Sequence, residues 1–482
     1  MPELAFQTAG ALAELVRTRA VGSRELLEHY AGRIARVNPS LGAVVTLDLE
    51  RARRRADAAD AALARGESWG PLHGLPITVK DTFETAGMRT TSGASDLAEH
   101  VPAADAVAVG RLVAAGAIPF GKTNVPLMAG DWQTYNAVFG TTNNPWDPTR
   151  TPGGSSGGAA AAVAADLTAF ELGSDIAGSI RVPSGWCGVY GHKPTYGIVP
   201  VRGHIPGPPG TVSEVDLAVA GPIARSADDL AHLLDVLAGP TADRAAAWTL
   251  ALPPSRRAAL RDYRVAAWLD DPAFPVDPAV GDRLQAVVDA LGRAGVRVHD
   301  RPFDVPLREI NDTYARLLWP IIVGGFPAHV FDQLAEAAAT MPEASPDGRF
   351  ARYGTARHRD WIAANEARAR LRERLAAFFR DVDVLLTPIA AVPAIPHDHR
   401  EPFATRTIRV GGQERPYQDL VGWIALATAT WHPATAAPAG RTRDGLPVGV
   451  QIVGPYLEDR TPIDFARRLA DVAGGFEPPP VG

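Results

Sequence analysis

Cysteine is nearly absent: Cys187 is the single one in 482 residues. An intramolecular disulfide is therefore excluded, and a reducing compartment suits the chain. Long apolar runs are missing too. No stretch reaches the roughly 18 consecutive apolar residues of a spanning helix. The nearest approach, residues 317–331, is broken by Pro320, Gly324, Gly325 and Pro327, which fits a pocket wall better than a membrane segment. Positive charge is not in excess either. With a net charge of -6 and no block of basic residues, neither nucleic acid nor an anionic membrane is expected as a partner. The N-terminal stretch MPELAFQTAGALAELVRTRA has acidic residues and no unbroken apolar core. No signal peptide is expected from it, and the chain reads as cytoplasmic.

What remains is a globular composition, 46% hydrophobic and 21% charged. The 42 prolines and 46 glycines imply many defined turns without gathering into a linker. Residues 9–38 read as two helices, the second opening at Ser23 with Leu26, Leu27, Tyr30, Ile34 and Val37 along one stripe. Strands are expected at 44–47, 75–79, 117–121, 168–172, 264–269, 296–299 and 382–386. Helices are expected at 51–65, 105–115, 159–165, 278–295, 356–380 and 459–473, with a further one opened by Ser226 and Asp229 in a capping pattern. Apolar runs stand at 434–439 and 448–453. Residues 300–360 read as irregular and aromatic-bearing. Strands alternating with helices predict an α/β fold, a large central sheet covered by helices on both faces.

The densest chemistry lies in residues 151–184, where glycines surround Ser155, Ser156 and Ser179. Taken singly, such a serine most often caps a helix or closes a turn. Three readings compete for the group. Gly154 to Gly158 satisfies G-x-S-x-G, a nucleophile elbow with His432 as base, but that elbow needs a buried strand before it. Here the preceding NNPWDPTRTP carries three prolines, which a central strand excludes. A second reading makes Cys187 the nucleophile. Its apolar, glycine-rich surroundings suit an inert core thiol better. A third joins Ser155 and Ser179 to Lys80, which ends the apolar run of residues 75–79; an ordinary surface cation at a strand end is the bland alternative.

The runs GPLHGLPITVKD, TPGGSSGG, LGSDIAGSIRVPSGWCGVYGHKPTYGIVP and GLPVGVQIVGP closely resemble the amidase signature family. The separations of 75 and 24 residues between Lys80, Ser155 and Ser179 agree with that family as well. The resemblance spans nearly the whole chain. It implies a single domain over 1–482 with a large, mixed, twisted sheet, a catalytic core near 70–225 and a variable substrate-pocket region near 300–360. It also implies a Ser-Ser-Lys triad, with Ser179 as nucleophile, Ser155 as the bridging serine after a cis peptide bond, and Lys80 as base.

A serine hydroxyl is a weak nucleophile until a base takes its proton. Lys80 must then be largely neutral, which burial favours. The resemblance further implies an oxyanion hole from the N–H groups of Ile176, Ala177, Gly178 and Ser179, substrate contacts along Met128, Ala129, Gly130, Asp131 and Trp132, and support from Ser156, Asp175 and Arg181. Asp175 and Arg181 are expected to pair. No metal and no cofactor are implied. Ala177 stands where the family commonly has glycine, so its methyl group must fit a backbone usually left to glycine.

The implied activity is hydrolysis of a carboxylic amide, class EC 3.5.1.- and within it 3.5.1.4, with esters, anilides or carbamates also reactive. A small-molecule amide is the expected partner, and homodimers are frequent among similar enzymes. The rival is the glutaminase subunit of a tRNA-dependent amidotransferase. That subunit typically has glutamine where this chain has Val182, and an EFAMGSS-like segment where this chain reads PLMAGDWQTYN. A catalytically silent binding protein on the same scaffold would not need all three triad residues.

Overall fold

In the computed structural model, which describes residues 3–300, 303–342 and 345–481, the apolar runs become strands of two main sheets. Val44–Leu47 (β1), Pro76–Lys80 (β2) and Ile118–Thr123 (β3) form the smaller, in the order β1-β3-β2. Tyr135–Asn136 (β4) and Gly140–Thr141 (β5) make a short hairpin beyond it. The central sheet draws on Glu171–Asp175 (β6), Tyr190–Lys193 (β7), Val219–Ala224 (β8), Val265–Ala267 (β9), Val298–Asp300 (β10) and Val384–Pro388 (β11). After a second hairpin, Thr407–Val410 (β12) with Gln413–Pro416 (β13), it is completed by Ala434–Arg441 (β14) and Pro447–Val453 (β15). Its eight strands run in the order β10-β9-β11-β15-β14-β7-β8-β6. The pairs around β9 are parallel and the others antiparallel, so the sheet is mixed, as expected.

Strand alternation divides the core in two. Val265, Ala267, Val384 and Leu386 face one apolar cluster, while their neighbours Ala266 and Leu385 face another. Helices Ser23–Leu41 (against β2 of the smaller sheet), Ala227–Leu237, Pro278–Arg293 and Arg460–Ala473 contribute to the first cluster; Leu307–Val323 and His358–Asp381 contribute to the second. The helix Gly157–Ala164 is buried throughout and packs on strands of both main sheets. Its small side chains permit that double contact. The cap at Ser226 forms as expected, its hydroxyl accepting the Asp229 N–H at 3.1 Å.

Two expectations are corrected. The described residues of 300–360 are largely helical, not irregular: they fold into Leu307–Val323, Ala328–Thr340 and Pro346–Gly354. Prolines start these helices, Pro306 and Pro327 as N-caps and Pro346 in a first turn, where a missing N–H costs nothing; of the three only Pro327 was expected as a break. Pro320 sits inside Leu307–Val323, held by the buried stripe Leu307, Ile310, Tyr314 and Leu317. The strand expected at 168–172 runs instead from Glu171 to Asp175, paired with β8. Ser174 is thereby a strand residue.

Candidate active site

Lys80 closes β2 and is fully buried. Its Nζ lies 2.7 Å from Ser155 Oγ, 2.9 Å from Ser156 Oγ and 2.9 Å from Ser174 Oγ. Loss of hydration pulls its pKa down to about 7, against the opposing pull of Asp175 and Glu171. The Gly154–Ser155 peptide bond is cis. Glycine is required at 154 because a Cβ there would stand 2.6 Å from the Asp131 carbonyl oxygen. That close crossing brings the serine loop against the segment 131–133.

Ser174 was not among the expected site residues. Successive strand residues point to opposite sides, so β6 turns Ser174 toward Lys80 and Asp175 toward Arg181. The strand that orients it begins at Glu171, later than the expected 168, within the same glycine-rich run. Ser156, expected only as support, is a direct partner of the lysine; its hydroxyl donates to the Ser174 carbonyl at 3.3 Å.

Ser179 approaches from the next loop. Its carbonyl accepts the Ser156 N–H at 3.2 Å, which ties the two serine segments together. Among the described residues its own hydroxyl has no hydrogen-bond partner. Asp175 and Arg181 pair at 2.9 Å with neither side chain exposed. Every guanidinium N–H is matched: to Asp175, to the Ile424 carbonyl (3.0 Å), to Gln451 Oε1 (2.7 Å) and to Thr428 Oγ1 (2.7 Å). Burial alone would raise the Asp175 pKa; Arg181 outweighs it and holds the carboxyl down at about 2.

The same carboxylate takes the Gly178 N–H at 2.9 Å and the Ile180 N–H at 3.1 Å. Gly178, expected as an oxyanion donor, therefore points its hydrogen at Asp175. The N–H groups of Ile176, Ala177 and Ser179 have no acceptor among the described residues. Gly178 has φ 88°, and the left-handed turn falls there; Ala177 keeps a negative φ, so its methyl group meets no glycine-only backbone.

Two side chains from elsewhere grip this loop. Tyr314 donates its hydroxyl to the Ile176 carbonyl at 2.8 Å, and Trp132 Nε1 donates to the Ala177 carbonyl at 2.8 Å. Trp132 thus links the segment 128–132 to the loop. Met128 and Ala129 both take positive φ, 48° and 56°, and Gly130 N–H returns to the Leu127 carbonyl at 2.9 Å. Asp131 offers no free charge: Arg406 Nη1 at 2.5 Å and the Tyr417 hydroxyl at 2.9 Å occupy its oxygens. It anchors the segment.

The other nucleophile candidates stay apart. Cys187 is buried with its Sγ toward the Pro152 carbonyl, and burial pushes its thiol pKa up. His432 is buried against Thr430 and Phe379. Among the described residues no strand leads directly into Ser156: the last one before it ends at Thr141. Among the described residues no group of His, Cys, Asp or Glu is placed to hold a metal ion, and no helix is long and apolar enough to cross a membrane.

The family model "Amidase" matches residues 25–462. The chain belongs to the amidase signature family. Within it, the chain is 38% identical to the putative amidase AmiB2 of Mycobacterium tuberculosis, over 97% of this chain and 96% of that protein. It is also 35% identical to a subunit of the glutamyl-tRNA(Gln) amidotransferase of Thermus thermophilus, again over 97% and 96%. Among solved structures, a 6-aminohexanoate cyclic dimer hydrolase superposes with a TM-score of 0.78 at 27% identity, covering 98% of each chain.

Proposed function

We propose that this amidase family member hydrolyses a linear carboxylic amide, as an EC 3.5.1.4-type enzyme, through an acyl-Ser179 intermediate. Esters, anilides and carbamates would enter the same path. One observation carries the reading: a fully buried lysine, its pKa drawn to about 7, with Nζ 2.7 Å from the hydroxyl of Ser155. Such an amine is a base near neutral pH. The Ser156–Ser179 backbone bond supports the entry of Ser179 into the relay.

In this mechanism neutral Lys80 accepts the Ser155 hydrogen while Ser155 accepts that of Ser179. Ser179 Oγ bonds to the carbonyl carbon, and the π electron pair moves onto oxygen. The N–H groups of Ile176, Ala177 and Ser179 receive that charge; one such donor is commonly worth about 3 to 4 kcal/mol in barrier height. Collapse breaks the C–N bond, and the leaving amine takes back a proton from Lys80 by way of Ser155. Water then repeats the sequence on the acyl ester, releasing the acid.

The 35% identity to an amidotransferase component favours a second reading, in which glutamine is the amide and ammonia passes to a partner. Val182, the PLMAGDWQTYN segment and the internal pairing of Asp131 weigh for a stand-alone amidase. A fluorophosphonate probe tests the nucleophile directly. Mass spectrometry should place the adduct on Ser179; an adduct on Ser156 would overturn the assignment.

A further inference from the structure

His204 sits beyond the serines, on a segment laced to the exit of β2. Ile205 N–H donates to the Thr82 carbonyl at 2.7 Å, Glu84 N–H donates to the Gly203 carbonyl at 2.9 Å, and the His204 ring meets Phe83 edge-on at 4.8 Å. Its Nε2 lies 2.8 Å from Ser174 Oγ, the same oxygen that Lys80 Nζ contacts at 2.9 Å. Nothing in the mechanism above uses this ring.

The hydrogens available around Lys80 limit how its three hydroxyl neighbours can be oriented. A neutral amine has two N–H donors and one lone pair, whereas Lys80 has three hydroxyl neighbours. Ser156 sends its hydrogen to the Ser174 carbonyl, so toward Lys80 it is an acceptor. Ser155 must receive the lone pair if Lys80 is to act on it. Ser174 must therefore also accept, which requires somewhere else for its own hydrogen to go. His204 Nε2 is the acceptor in reach. Without it, the Ser174 hydroxyl is free to turn onto Lys80 Nζ and compete with Ser155 for the lone pair.

We propose that His204, as the Nδ1–H tautomer, is a positioning residue that holds the Ser174 hydroxyl away from Lys80 and so aims the lysine lone pair at Ser155. The arrangement survives proton transfer unchanged. When Lys80 gains a hydrogen, its three N–H groups meet three hydroxyl oxygens, and the Ser174–His204 bond stays as it was. Such a network needs no reorganisation during the step.

The inference rests on Lys80 being the base, and the test separates the two. Steady-state kinetics on an amide turned over by the wild type would compare H204A, H204Q, S174A, S174A/H204A and K80A, each checked for folding by circular dichroism. H204A should lower kcat about tenfold or more with KM little changed. H204Q, whose Oε1 can accept the same hydrogen, should recover most of that loss. In the S174A background, removing His204 should cost nothing further, because the histidine acts only through that hydroxyl. A folded H204A with wild-type kcat, a loss confined to KM, or an undiminished loss in S174A would each overturn the role of His204. An active K80A would instead overturn the base assignment on which it stands.

Discussion

Tyr314 reaches from the helix Leu307–Val323 to the loop that leads into Ser179, donating its hydroxyl to the Ile176 carbonyl at 2.8 Å. In a trans peptide unit the C=O and the following N–H point opposite ways. Fixing the Ile176 carbonyl therefore aims the Ala177 N–H. Tyr314→Phe should lower kcat by about tenfold while KM stays near its wild-type value, since an oxyanion donor acts mainly in the transition state. Loss of KM alone would show that the hydroxyl serves substrate binding.

The Asp175–Arg181 pair should dominate the stability of the same loop. Asp175→Asn leaves a buried guanidinium without its counter-charge, a change that typically costs about 3 to 5 kcal/mol. Urea unfolding would read it. The carboxyl is held at about 2, below its ordinary value, so the pair contributes fully above the unfolded-state pKa near 3.8 and its contribution is lost as pH falls toward 2. A flat stability profile across that window would contradict the coupling.

Activity should have an acid limb set by Lys80. Burial lowers its pKa to about 7, so the neutral base predominates above that pH and is depleted below it. A kcat profile falling on the acid side of about 7 is expected. Lys80→Arg should be inactive at every pH, because a guanidinium does not deprotonate in this range. A pH-independent rate down to 5 would remove Lys80 from the base role.

Substrate choice separates the two functional readings. A panel of simple amides, anilides, esters and glutamine, assayed for released amine or ammonia by the isolated chain, should show turnover of the non-amino-acid amides. Turnover confined to glutamine, or appearing only with an added partner protein and tRNA, would assign the chain to the amidotransferase reading.

The serine loops were legible in sequence because their requirement is local. Glycine at 154 and 178 reports a close backbone crossing and a left-handed turn, and those constraints leave their mark in adjacent residues. Amphipathic helices such as Ser23–Leu41 were legible for the same reason. The region 300–360 was misread because a proline that starts a helix and one that breaks it are the same letter; the buried stripe through Tyr314 decides which applies. Ser174 stood in plain view inside LGSDIAGSIR, but a shift in the start of β6 decided which way it pointed. His204, Tyr314 and Arg406 carried no signal, since their partners lie at separations of 30, 138 and 275 residues.

The sequence by itself determined the alternation of strands and helices, the glycine-bounded turns and the resemblance carried by Lys80, Ser155 and Ser179. Each of these depends on residue type and near-neighbour spacing. Tertiary structure alone decided the burial of the lysine, the partner of each hydroxyl and which amides remain free beside Ser179. Those properties follow from burial and from donors and acceptors that the fold brings together across long separations, and hydrogen-bond geometry is not written in local order.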